Sequence, residues 1–204
     1  MRADAFARAV NLTAVDVPGF TPSAKDREAE SPTEQGLQRR LDRCMGAAGG
    51  LGVSGGGAHS SPSFTRRGRV LDETVSSSVG FAPTAADAAG ELRLLRSARA
   101  QGCLASYLDL LFKGKRYGGG AIQRVSIAQG TPPAPGTSGG FGWRITAAVN
   151  VHGLSAPFYV DILGFVYGPA EVTLLSSGAL IPFPAHAEEQ LFRLLVARAR
   201  AHPL

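Results

Sequence analysis

Cysteine is scarce in this chain. Cys44 and Cys103 are the whole thiol inventory of its 204 residues, and their spacing is far too long for a CxxC redox or zinc motif. The remaining readings are a nucleophile or redox pair, two inert buried thiols, or one disulfide between two helices. Charge is low as well, 18% of residues against about 25% in ordinary domains. The net charge of +5 comes from 21 basic and 16 acidic residues. The basic ones are mostly arginines interleaved with Glu and Asp, without an RNP-like strand or a basic heptad, so nucleic acid is not an expected partner. No run approaches the ~18 consecutive apolar residues of a membrane span, so no transmembrane segment is expected. Met1–Asn11 carries Asp4 and lacks an uninterrupted apolar core, so it is not a complete signal peptide. Residues 1–10 are read as a remnant or tail. His59, His152, His186 and His202 form no HExxH or i, i+4 pair, so neither a metal nor a cofactor is expected.

What is present is β patterning. From Phe141 to His152, Phe141, Trp143, Ile145, Ala147, Val149 and Val151 alternate with Gly142, Arg144, Thr146, Ala148, Asn150 and His152. A period of two over this length predicts a strand with one buried and one wetter face. His152-Gly153 turns the chain into Ala156–Tyr167, apolar on both faces, and Gly168-Pro169 turns it again into Glu171–Ser176. Strands joined by such short turns pair antiparallel.

Upstream, Leu12–Val17 predicts an edge strand or an extended segment that stops at Pro18-Gly19. Ser31-Pro32-Thr33-Glu34 has the form of a capping box and opens a helix to about Met45, with Leu37, Leu41 and Cys44 on one face. Gly46–Pro62 is a glycine- and serine-rich loop. Arg69–Phe81 predicts a strand with Leu71, Val75, Val79 and Phe81 on one face and Asp72, Thr74, Ser76 and Ser78 on the other. Thr84 and Asp87 cap a helix running from Ala85 to about Phe112, with a possible break at Gly102. Ile122–Ala128 is the next strand, and Pro184 opens a last helix whose charges match its dipole. The expected class is α+β: one domain over residues 1–204, a twisted, mainly antiparallel sheet with a meander in its second half, packed by about three helices.

Most motif matches in this chain lack the context their chemistry needs. Gly50–Gly55 matches GxGxxG, but a helix precedes it and Ser60-Ser61-Pro62 follows, where a dinucleotide site needs a strand before and a helix after. Ser54 sits in a GxSxG match, yet the nucleophile elbow belongs to a parallel α/β sheet. Lys113, Lys115 and Arg116 beside Gly118–Gly120 lack the Ser or Thr of a Walker loop. Asp161 lies in the most apolar strand. A buried carboxylate must be paired or protonated, so it is either the partner of an arginine such as Arg144 or a catalytic group.

The segments Leu12–Phe20, Ser76-Ser77-Ser78-Val79, Gly102-Cys103-Leu104 and Tyr159–Gly168, with the Cys in the first helix, resemble a group of actinobacterial envelope proteins of secreted or lipoprotein type. The pattern also loosely resembles the extracellular sensor domain of some mycobacterial serine/threonine kinases. The resemblance implies an extracytoplasmic domain, secreted or surface-tethered, with a helix-to-helix disulfide and a groove over the sheet, and it supplies no catalytic residue. Helix faces that carry leucines beside Cys44 and Cys103 also favour the disulfide. The expected function is a non-enzymatic ligand-binding or sensor-like domain of the cell envelope, its partner a small molecule or an envelope polymer or protein. Asp72, Thr74, Ser76, Arg144 and Asp161 are the candidate binding residues. The alternatives are a hydrolase using Ser54 or Asp161 and a protein-binding envelope assembly factor.

Overall fold

The computed structural model describes residues 2–23, 32–46, 59–67, 72–112, 116–117, 120–151, 154–202 and 204. The meander forms as the alternation requires. Strands β7 (Gly139–Val151), β8 (Leu154–Tyr167) and β9 (Ala170–Ala179) pair antiparallel in sequence. They belong to an antiparallel sheet with β1 (Thr21–Ser23), β2 (His59–Ser60), β3 (Ser63–Arg66), β4 (Glu73–Phe81), β5 (Arg116–Tyr117) and β6 (Gly120–Gly130). Its order is β1-β3-β4-β9-β8-β7-β6-β5, with β2 sharing the β4 edge. The class is α+β.

Five α-helices cover the sheet among the described residues: α1 (Arg2–Val10), α2 (Pro32–Met45), α3 (Ala85–Leu95), α4 (Ala98–Phe112) and α5 (Ala185–Ala201). The sheet separates two apolar cores. On the back, α1 and α5 pack Phe6, Val10, Leu191, Phe192 and Leu195 against Val75, Val79, Phe165, Val172 and Leu174. On the front, α2, α3 and α4 pack Leu41, Met45, Leu92, Leu95 and Leu104 against Phe141, Trp143, Ile145 and Ile162. Strand β8 is apolar on both faces because it lies between the two covers: Phe165 belongs to the back core, Ile162 and Val166 to the front. After β4, the α3–α4 pair carries the chain to the far edge, and the meander walks back until β9 meets β4.

Three local expectations are corrected, and with them the count of three helices. Residues 1–10 are not a tail: Arg2–Val10 is a helix that buries Phe6, Ala7 and Val10, and Phe6 stacks on Tyr167 with centroids 6.3 Å apart. Its alanines favour helix, and its apolar stripe has a partner only in the folded chain. Leu12–Val17 is no strand. Thr13 N and Oγ1 both donate to Asp16 Oδ2, at 2.7 and 2.8 Å, and these local bonds draw the backbone into a 3-10 turn over Ala14–Asp16. Arg198 of α5 grips the same carboxylate at 2.7 and 2.9 Å, so Leu12 and Val17 are buried while Val15 is 86% exposed. The long helix breaks at Arg96-Ser97 and continues through Gly102. Ser97 Oγ donates to Leu94 O and accepts from Ala100 N. Arg96 Nε reaches Gly140 O at 2.7 Å. These bonds end one helix and begin the next.

The expected faces of β7 hold. Trp143, Ile145 and Val149 are buried, whereas Arg144 is exposed and Thr146 and Asn150 are half-buried. Cys44 of α2 and Cys103 of α4 are joined by a disulfide, with Cα atoms 5.7 Å apart, so the thiol readings give way to the structural one.

Candidate functional site

The sequence-derived binding residues fall on opposite faces of the sheet. In β4 to β9 the register pairs Ser76 with Leu175 and Thr74 with Ser177, and Leu175 stands opposite Ile162 of the front core. Thr74 and Ser76 therefore face the front, half-buried, and Asp72 is exposed just before β4. Thr74 Oγ1 and Ser177 Oγ share a hydrogen bond of 2.7 Å. On the back, Arg144, Asp161, Ser176 and Val75 are consecutive cross-strand neighbours. The structure thus brings Arg144 and Asp161 together and separates them from the β4 residues. Ser54, Lys113, Lys115, Gly118 and His152 lie outside the described residues.

Arg144 and Asp161 form a two-pronged pair, Nε to Oδ1 at 2.6 Å and Nη2 to Oδ2 at 2.9 Å. The Asp161 side chain is 4% exposed and that of Arg144 43%. A carboxylate can remain buried in this strand because a planar fork meets both its oxygens. The hydrogen bond to Asp161 raises Arg144 above the ordinary guanidinium range despite its partial burial.

One strand over, Ser176 is fully buried and its Oγ donates to Glu188 Oε1 of α5 at 2.5 Å. Glu188 is 7% exposed. Burial pushes its carboxyl above the ordinary value, the Ser176 bond opposes this, and Asp161 adds to it against the pull of Arg144. The sequence reading missed this pair, although a signal existed. Glu188 shares the inward face of α5 with Leu191, Phe192 and Leu195, at helical spacings of three, four and seven.

Glu188 also lines a cleft of about 210 Å³ between α5 and the proline loop before β7. Leu163, Phe192, Ala185, Pro132 and Pro133 form its apolar wall, and Glu189 and Arg193 stand at the rim, paired at 2.5 Å. The loop presses close to the sheet. A Cβ on Gly140 would lie 2.6 Å from Pro132 O, and one on Gly142 3.3 Å from Pro132 Cδ, so glycine at both positions admits the loop. This is a small, mostly apolar concavity with one enclosed carboxyl, an arrangement suited to binding. Ser176, with no exposed surface, has no room to reach a substrate carbonyl.

On the front face a second acid is half-buried. Glu171 of β9 is held up to about 8 by burial and by the neighbouring carboxyl of Glu91 on α3. Its Oε1 is buried without a hydrogen-bond partner among the described residues. No group of three His, Cys, Asp or Glu gathers among those residues to hold a metal. No described helix is long and apolar enough to cross a membrane.

The fold and cleft define an α+β domain stapled by a disulfide, with a small concavity on its back face. No family model and no curated protein matches the chain. Among solved structures it is loosely similar to the extracellular domain of PknH from Mycobacterium tuberculosis. The two share 15% identity with a TM-score of 0.43, over 90% of this chain and 100% of that one. A likeness this distant transfers no residue role.

Proposed function

We propose that this chain is a non-enzymatic ligand-binding, sensor-like domain of the cell envelope, working outside the cytoplasm. The observation that carries the binding reading is the cleft on α5, where an enclosed carboxyl, Glu188, meets a wall of Leu163, Phe192 and prolines. Such a site selects by shape and by one polar group, and it rests on a sheet whose register is fixed from both sides. The Cys44–Cys103 disulfide supports the compartment, because such bonds persist where the surroundings are oxidising. The Arg144–Asp161 pair serves this reading as the scaffold beneath Ser176 and Glu188.

The test is ¹H–¹⁵N NMR of the folded chain against a panel of small cationic, anionic and neutral probes. Shifts should cluster at Ala185, Leu163 and Phe192 and vanish in Ala185→Trp, which fills the cleft from its exposed end. Shifts confined to other surfaces would refute the assignment of the cleft. Turnover of an ester, peptide or glycan, lost in Ser54→Ala or Asp161→Asn with the fold intact, would overturn the non-enzymatic reading. A second reading, a protein-binding assembly factor, is favoured by the 46% and 65% exposure of adjacent Leu180 and Ile181. Ile181→Ser should then abolish capture of an envelope partner without disturbing the cleft.

A further inference from the structure

The charges around the cleft do not balance, and the imbalance specifies a ligand. Glu189 and Arg193 cancel at the rim, and Asp161 is met on both oxygens by Arg144. Glu188 is left over. Its Oε1 accepts from Ser176, while its Oε2 has no hydrogen bond among the described residues. When Glu188 is ionised, the cleft therefore holds one negative charge without a cationic side chain of its own, and one free acceptor, at the end of an apolar wall.

We propose that the cleft binds a primary ammonium on a short alkyl chain, with the N–H groups on Glu188 and the chain against Leu163, Phe192, Pro132 and Pro133. This rests on the reading of the cleft as a ligand site and names its substrate class. An ammonium supplies both missing elements, a positive charge and donors, from a compact head. About 210 Å³ is roughly seven waters' share of liquid volume, room for the head and a chain of a few carbons. An anion would have to be buried beside Glu188, and a neutral chain would leave the free oxygen unmet.

The proposal carries a pH dependence. Burial raises the Glu188 carboxyl above its ordinary value, so affinity for the ammonium should rise with pH until Glu188 is ionised in the free protein. The groups facing it are Ser176 of β9, Asp161 of β8, Arg144 of β7, and on its own helix Glu189 and Arg193 at the rim. His186 is exposed on the same helix and bonded to Gln190.

Isothermal titration of the full chain with pentylamine, pentanol and pentanoate, at a lower and a higher pH, tests this. At the higher pH pentylamine should bind one to one, at least tenfold more tightly than the other two, and it should bind more weakly at the lower pH. Glu188→Gln keeps the acceptor for Ser176 and should fold, as near-ultraviolet circular dichroism will show. It should bind pentylamine at least tenfold more weakly and without that pH dependence. Equal binding by Glu188→Gln, or pentanoate binding as well as pentylamine, would overturn the proposal. Shifts at the cleft from pentanol or pentanoate but not the amine would overturn the ligand class alone. No probe of any charge reaching the cleft would overturn the site itself. Comparing pentylamine with N-acetyl-lysine methylamide then separates a free amine from a peptide-borne one, and binding by either supports the class.

Discussion

Opening the Cys44–Cys103 bond should cost about 4 kcal/mol. The two residues are 59 apart in sequence, and the chain-entropy relation for a loop of that length gives about 4 kcal/mol at 25 °C. The loss should fall on α2, whose Leu41 and Met45 pack into the front core and whose end is held by Arg99 Nε on Cys44 O at 2.6 Å. Urea denaturation of Cys44→Ser/Cys103→Ser should show a midpoint lower by about 2 M if m is near 2 kcal/mol/M. Reductant added to the native chain should reproduce it. Hydrogen exchange should show α2 opening first, with β7 to β9 keeping their protection. A loss below about 1 kcal/mol, or exchange rising evenly across the sheet, would refute the view that the bond restrains one peripheral helix.

Trp143 is 1% exposed and its Nε1 is buried without a partner among the described residues. Trp143→Ala should therefore cost about 3–5 kcal/mol by calorimetry, and Trp143→Phe far less, since it removes the unpaired N–H. Two glycines should respond with opposite sign in thermal melts. Gly102→Ala, with open space around its Cβ, should gain about 0.5–1 kcal/mol in α4. Gly164→Ala places a Cβ 2.3 Å from the Phe141 ring and should lose about 1–3 kcal/mol. Stability should also depend on pH through Glu171, whose folded value of about 8 lies above its ordinary 4.5. The folded state holds the extra proton, so this contribution is complete below about 4.5 and is lost as pH rises through about 8. Glu171→Gln should flatten that slope, and an unchanged slope would refute the burial argument.

The meander was legible because strict alternation leaves no other register for Trp143 and its neighbours. The Arg144–Asp161 pair was legible because a carboxylate in so apolar a strand needs a cation on an adjacent one. The second cover was not. Ala156–Tyr167, apolar on both faces, marks a strand enclosed on two sides, yet the pattern names neither α1 nor α5 as what encloses it. The pairing of β4 with β9 joins segments far apart in sequence, and no local pattern encodes it. Ser77 likewise looks like one serine among three. Its Oγ in fact donates to Asn11 Oδ1 and accepts from Leu12 N, both at 2.8 Å. Whether the β4 residues share a face with Arg144 was not legible, for a simple reason. Parity assigns a face within a strand, but only the pairing between strands says which faces coincide.

The two-sided sheet has a consequence for how this chain can diverge. Along β8 and β9, neighbouring residues answer to different layers: Phe165 to α5, Val166 to α3 and α4. Each strand thus carries two interleaved messages that share a backbone and little else. Substitutions that re-tune the cleft around Glu188 need compensation only among every second residue, while the disulfide-bound layer keeps its own set. Descendants of this sequence could therefore reshape the cleft on the back face while the front face went on holding the same shape.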